Sequence, residues 1–156
     1  MKLAELLHKD VIKLDLSATS KEEAIKELIE LLAKNGAIES KEGFEKDVYD
    51  REAQGMTGIG GGIAIPHGKS DAVRHTAIAI GRTKQPISWE TLDEKPVQAI
   101  ILFAVRKEDA GDLHLKLLAK VAGALARDEV CTALLESNSK EDIIQAFPFD
   151  EQEGES

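Results

Sequence analysis

Residues 57–68, TGIGGGIAIPHG, constrain this chain more than any other stretch. Six of the twelve glycines lie between Gly55 and Gly68, followed by a short apolar run at 63–65 and then Pro66, His67 and Gly68. Glycine admits positive φ and close approach of another molecule to the backbone, and proline fixes the direction of the turn that follows. His67 is therefore expected on a shaped loop. An imidazole held there by a backbone carbonyl at one nitrogen has its tautomer fixed and its other nitrogen free to react, an arrangement that suits a nucleophile.

The rest of the chain restricts what that nucleophile serves. At 156 residues and 17.0 kDa it is expected to form one domain with its own core, needing neither disulfide nor metal for stability. A single cysteine, Cys131, excludes an internal disulfide and any cysteine-based metal site within one chain. No apolar run is long enough to span a bilayer, and the start MKLAELLHKDV lacks the continuous apolar core of a secretory signal, so a cytoplasmic location without membrane insertion is expected. The net charge of −9, with 20 basic against 29 acidic residues and no basic block, argues against nucleic acid as a partner.

Hydrophobic spacing predicts a short helix at 2–8, then a strand at 11–16 with Ile12, Leu14 and Leu16 on one face. Ser20 and Glu23 form a capping box ahead of Ile25, Leu28, Ile29 and Leu32 at helical spacing, and Gly36 supplies the stop. A second helix follows Ser40, with Phe44 and Val48 inward, and its last turn carries Arg51 and Glu52 into the glycine loop. Strands are expected at 63–65 and 76–81. The continuous apolar run 97–105 reads as a central strand covered on both faces. Asp112 is a plausible N-cap for a helix bearing His114, Leu118, Val121 and Leu125, and shorter helices are expected at 129–135 and 140–147. This order predicts an α+β fold, a three-layer helix/sheet/helix sandwich around a small mixed β-sheet. The last residues, FDEQEGES, read as an acidic disordered tail or a linker stub.

The glycine loop is not a nucleotide cradle. A P-loop ending at Gly68-Lys69-Ser70 and a dinucleotide fingerprint begun at Gly58 and Gly60 both require glycine where Ile63 stands. Neither a GxSxG elbow nor an HExxH pair is present. Among the four histidines, His8 and His75 sit in charged, solvated segments and receive no role. His114 reads equally well as a satisfied core histidine or as part of a site with His67. Near the start of its helix, the positive helix end would keep its ring neutral and able to donate one hydrogen bond to an anion. A zinc site built from His67, His114 and a carboxylate such as Asp71 has none of the compact ligand spacings. Arg51 taken alone reads as an ordinary surface ion pair, Cys131 as a small apolar residue on a short helix, and Met56 as a loop contact.

The segment REAQGMTGIGGGIAIPHGKSDAV, residues 51–73, with HLKLLAKVAGALA from His114, resembles the fructose/mannitol-type enzyme IIA domain of the bacterial phosphoenolpyruvate-dependent sugar phosphotransferase system. The resemblance runs from about residue 2 to 147 and implies an IIA-like phosphocarrier domain over 1–148 followed by the tail, 149–156. It implies that His67, in the IPH motif, is transiently phosphorylated, with His114 and Arg51 stabilising the phosphoryl group. Glu52, Thr57, Gly58, Gly60, Pro66 and Gly68 would shape the loop and meet partners. The implied donor is HPr or an HPr-like domain, and the acceptor is a cysteine of enzyme IIB. Enzyme IIC, which binds the sugar, is involved only indirectly, and no metal or other cofactor is required.

Two positions bear on subtype. Gly61 stands where many relatives carry asparagine, and Gly68 where many fructose-type chains carry alanine and nitrogen-regulatory or mannitol-type chains often carry glycine. KSDAV after the motif is similar to fructose-type chains. The alternative is a nitrogen-regulatory IIA-type module, in which the phosphorylation state of His67 controls binding to regulatory partners.

Overall fold

The apolar run at 97–105 becomes the centre of the molecule. The computed structural model describes residues 3–109 and 111–147. In chain order its elements are helix α1 (Leu3–Leu6), strand β1 (Ile12–Leu16), helices α2 (Lys21–Lys34) and α3 (Lys41–Glu52), and strands β2 (Gly58–Gly60), β3 (Ile63–Ala64), β4 (His67–Ser70), β5 (Ala77–Ile87) and β6 (Val97–Arg106). Helices α4 (Asp112–Leu125), α5 (Asp128–Glu136) and α6 (Lys140–Ala146) follow. No helix among the described residues is long and apolar enough to cross a membrane.

Strand alternation divides the side chains of β6 between two cores. Val97, Ile100, Leu102 and Ala104 face α2 and α3, where Ile25, Leu28, Leu32, Phe44 and Val48 are buried. Ala99, Ile101, Phe103 and Val105 face the other layer, with Leu117, Val121, Val130, Leu134 and Ile143. Each fully buried large apolar side chain contributes roughly 1.5–3 kcal/mol, so both layers are held mainly through β6 and its neighbours. The sheet order is β1-β5-β6-β3-β2, with β4 also paired to β6. Strands β5 and β6 are antiparallel, β1 runs parallel to β5, and both β3 and β4 run parallel to β6. The result is the expected three-layer sandwich around a mixed sheet.

The local signals hold at most boundaries. Ser20 Oγ accepts the Glu23 amide at 3.2 Å, while Glu23 reaches back to the Thr19 amide at 2.8 Å. Ser40 and Ser139 cap α3 and α6 in the same way, and Gly36 ends α2 at φ 81°.

Four expectations need correction. Ile12 and Leu16 enter opposite cores, because the register against β5 shifts between Lys13 and Leu16 and turns Leu16 over. Gly111, at φ 98°, is the N-cap of α4, and Asp112 is its first residue. The strand expected at 76–81 continues to Ile87. His67 lies on a strand, not a loop: HGKS has no apolar alternation, and only pairing with Phe103 through Arg106 of β6 draws it into the sheet. The acidic residues 149–156 lie outside the described residues.

Candidate functional site

His67 begins β4, which is seated on the edge of β6 with the Phe103 amide donating to the Pro66 carbonyl at 3.0 Å. Helix α3 then packs directly over β4. A Cβ on Gly68 would lie 3.0 Å from Val48 Cγ2 and 3.1 Å from the Val48 nitrogen and Phe44 Cε1, so glycine sets how closely α3 approaches. That approach brings Arg51, in the last turn of α3, onto His67.

Both ring nitrogens of His67 are engaged. Arg51 Nε donates to His67 Nε2 at 3.1 Å, so Nε2 carries a lone pair. Nδ1 lies 3.3 Å from the Ile65 carbonyl and is the protonated nitrogen. Burial lowers the pKa of His67, the Ile65 carbonyl offsets part of this, and the charges of Arg51 and Lys69 lower it further. The ring is neutral at pH 7 with a defined tautomer.

His114 lies beside it, with ring centroids 5.3 Å apart and planes inclined at 59°. It is the third residue of α4, buried on the stripe that continues through Leu117 and Val121. Its pKa is pushed down to about 4, by burial first and then by His67, Lys69 and Arg51. The nearby helix N-terminus acts in the same direction. His114 Nε2 is buried without a hydrogen-bond partner among the described residues. A satisfied core histidine would not leave that atom orphaned.

These groups line a cleft of about 470 Å³ together with Asp47, Asp50, Gln54, Lys69, Gly111, Leu115 and Leu118. His67 and His114, each 6% exposed, form part of its wall. The cleft combines a neutral nucleophilic nitrogen, a guanidinium, a second neutral imidazole and an ammonium. That set can accept a phosphoryl group and spread its charge over fixed donors.

The loop residues sort by burial. Glu52 points inward, its Oε1 accepting the Thr57 hydroxyl at 3.0 Å and the Lys21 ammonium at 2.8 Å. Thr57 and Pro66 are buried, as is the Glu52 side chain, so none of the three presents an exposed contact. Gly58 is required for close approach, since a Cβ would come within 2.4 Å of Thr91 Cγ2 and 2.5 Å of the Glu90 carbonyl. Gly60 has φ 97°, and the next residue's amide is held by Asp93 Oδ2 at 3.0 Å.

Sequence reasoning missed Lys69 and Lys21. His67 and Lys69 stand two apart on a strand and share a face, a signal available only once 67–70 is known to be extended. Nothing in the pattern links Lys21 to Glu52.

The remaining candidates fall outside the cleft. His8 and His75 are exposed, and Asp71 pairs with Lys107 at 3.3 Å. No group of three or more histidine, cysteine or acidic side chains among the described residues is arranged to hold a metal ion. Cys131 is half-buried, donating to the Leu125 carbonyl at 3.1 Å, and burial raises its pKa. Met56 is exposed, as are Leu92 and Leu115, the last at the cleft.

Residues 5–148 match the family described as phosphoenolpyruvate-dependent sugar phosphotransferase system, EIIA 2. The chain is 39% identical over 144 residues to the fructose-specific EIIABC component of Bacillus subtilis, covering 92% of this chain and 22% of that relative. It is 32% identical to a nitrogen regulatory protein of Klebsiella oxytoca, covering 93% and 89% of the two chains. The crystal structure of the nitrogen regulatory protein IIA-Ntr from Neisseria meningitidis superposes with a TM-score of 0.84 at 31% identity, over 94% of this chain and 99% of that one. By the match over residues 5–148 and the identity to relatives covered almost end to end, the chain belongs to the EIIA 2 family of the phosphoenolpyruvate-dependent sugar phosphotransferase system.

Proposed function

We propose that this chain is a phosphocarrier in which His67 Nε2 accepts a phosphoryl group from phosphorylated HPr, or an HPr-like domain, and passes it to a cysteine of an enzyme IIB domain. Residues 1–148 form the carrier unit. The observation that carries the reading is the double hold on His67. With Nδ1–H committed to the Ile65 carbonyl, the Nε2 lone pair is directed toward Arg51 on the cleft side.

The Nε2 lone pair attacks phosphorus in line. The new N–P bond forms as the donor's N–P bond breaks, and its electron pair returns to the donor nitrogen. Arg51 turns its N–H groups from Nε2 to the phosphoryl oxygens, and the neutral His114 ring donates a further hydrogen bond. In the second step a thiolate attacks the same phosphorus, and the pair of the His67 N–P bond returns to Nε2. The protein contributes position and charge stabilisation, and no general base is needed because His67 is already neutral. Exposed Leu115 and Met56 offer apolar contact to the docking domains.

The fructose-specific relative, whose name joins components A, B and C in one chain, supports a sugar-transport role with IIB as acceptor and IIC as the sugar-binding partner. KSDAV after the motif favours the fructose type. A second reading is favoured by the nitrogen-regulatory relatives: the phosphorylation state of His67 controls binding to a regulatory partner.

The test is labelled phosphoryl transfer from phosphoenolpyruvate through enzyme I and HPr, with His67→Ala alongside. Acid-labile, alkali-stable label that is absent from the variant is expected. Label retained by His67→Ala would overturn the assignment. Subsequent chase into a IIB cysteine separates the transport reading from the regulatory one.

A further inference from the structure

Lys21 opens α2 and does not line the cleft, yet contacts through Glu52 lead from it toward both nitrogens of His67. Its ammonium lies 2.8 Å from Glu52 Oε1 and 2.9 Å from Glu90 Oε1, and 5.1 Å from the centre of the Trp89 ring. The Lys21 side chain is 15% exposed and that of Glu52 only 6%, so this is a nearly buried pair. Burial lowers the lysine pKa, but Glu52 and Glu90 outweigh it and the net shift is upward, so the ammonium stays charged. Glu52 Oε2 is buried with no partner among the described residues. A carboxylate placed in this way depends on the cation facing it.

Two routes lead from Glu52 to His67. The preceding residue is Arg51, whose Nε donates to His67 Nε2. On the other side Glu52 Oε1 takes the Thr57 hydroxyl, the Thr57 carbonyl takes the Ile65 amide at 2.9 Å, and the Ile65 carbonyl holds His67 Nδ1. The chain of contacts closes on the reacting ring from both sides. Lys21 ties it to α2, whose Ala24, Ile25 and Leu28 are fully buried in the core.

We propose that Lys21 is a positioning residue for phosphoryl transfer: by holding Glu52 it fixes the last turn of α3 and Thr57, and so keeps Arg51 and the Ile65 carbonyl on the two nitrogens of His67. The inference rests on the phosphocarrier reading, and Lys21 itself does not line the cleft.

The experiment compares the full chain with Lys21→Met and with Lys21→Met/Glu52→Gln, which removes both charges and leaves no lone buried carboxylate. Single-turnover transfer from phospho-HPr is measured below each melting transition, and ¹⁵N NMR reports the tautomer and hydrogen bonding of His67. Lys21→Met is expected to slow transfer at saturating donor by about tenfold or more through misplacement of the donors. The donor concentration giving half-saturation should stay within about twofold, because docking contacts are untouched. The double variant regains melting temperature but stays slow, and in both variants the His67 nitrogen resonances move away from those of the wild type.

Wild-type rate and wild-type His67 resonances in either folded variant would overturn the proposal. Recovery of both rate and melting temperature in the double variant would assign Lys21 to stability alone. If Lys21→Met does not fold, the double variant decides. If the wild type accepts no phosphoryl group, the phosphocarrier reading fails, and the resonances alone decide whether Lys21 positions His67.

Discussion

Arg51 Nε and His67 Nε2 lie 3.1 Å apart, so the guanidinium occupies the position from which an electrophile would meet the imidazole lone pair. The same guanidinium donates from Nη1 to the Gly55 carbonyl at 3.2 Å, which anchors it at the mouth of the glycine loop. Accepting a phosphoryl group on Nε2 therefore requires Arg51 to exchange a nitrogen acceptor for oxygen acceptors while remaining anchored. Arg51→Lys should slow transfer by about one to two orders of magnitude, because lysine cannot reproduce a planar fork of donors. Transfer kinetics equal to the wild type in rapid-quench assays would remove Arg51 from the site.

His114 should matter for rate more than for acceptance. In His114→Ala the lone pair, the tautomer and the Arg51 contact of His67 are intact, while one donor to the transferring group is lost. Labelling of His67 should still reach completion, with the rate lowered on the order of ten- to a hundredfold. A variant that is folded and labels at the wild-type rate would return His114 to a packing role.

The low pKa of His114 carries a stability signature. Its folded value of about 4 lies below the ordinary 6.5, so between those pH values the unfolded chain binds more protons than the folded one. Stability contributed by the neutral ring is fully present above pH 6.5 and is lost as pH falls toward 4. The difference should be on the order of 2 kcal/mol. Urea melts of the wild type and His114→Gln at pH 7.5 and 4.5 should show a smaller fall in the variant. Equal falls would mean that His114 titrates normally.

Two glycines of one loop should differ in their tolerance of a side chain. Gly58→Ala drives a Cβ into Thr91 and the Glu90 carbonyl, and should destabilise the fold by about 1–3 kcal/mol. Gly61 sits at φ 66° with open space around its Cα, a conformation asparagine tolerates. Gly61→Asn should stay within about 0.5 kcal/mol of the wild type in chemical denaturation. A large loss at Gly61, or none at Gly58, would contradict this packing.

By itself the sequence determined the layers and singled out His67, the nucleophile we propose. The run at 97–105, the capped helices after Ser20 and Ser40, and the glycines leading to Pro66 and His67 are local signals, written in periodicity, caps and backbone freedom within a few residues. Tertiary structure decided what surrounds His67. That HGKS is a strand depends on pairing with Phe103 through Arg106, more than thirty residues later, and the reversal of Leu16 depends on a register shift against β5. Arg51 becomes a partner of Nε2 because Gly68 lets α3 approach β4, and Lys21 meets Glu52 because two helices of one layer converge. These contacts join residues with no common periodicity, and their energies depend on burial that exists only after the layers have closed.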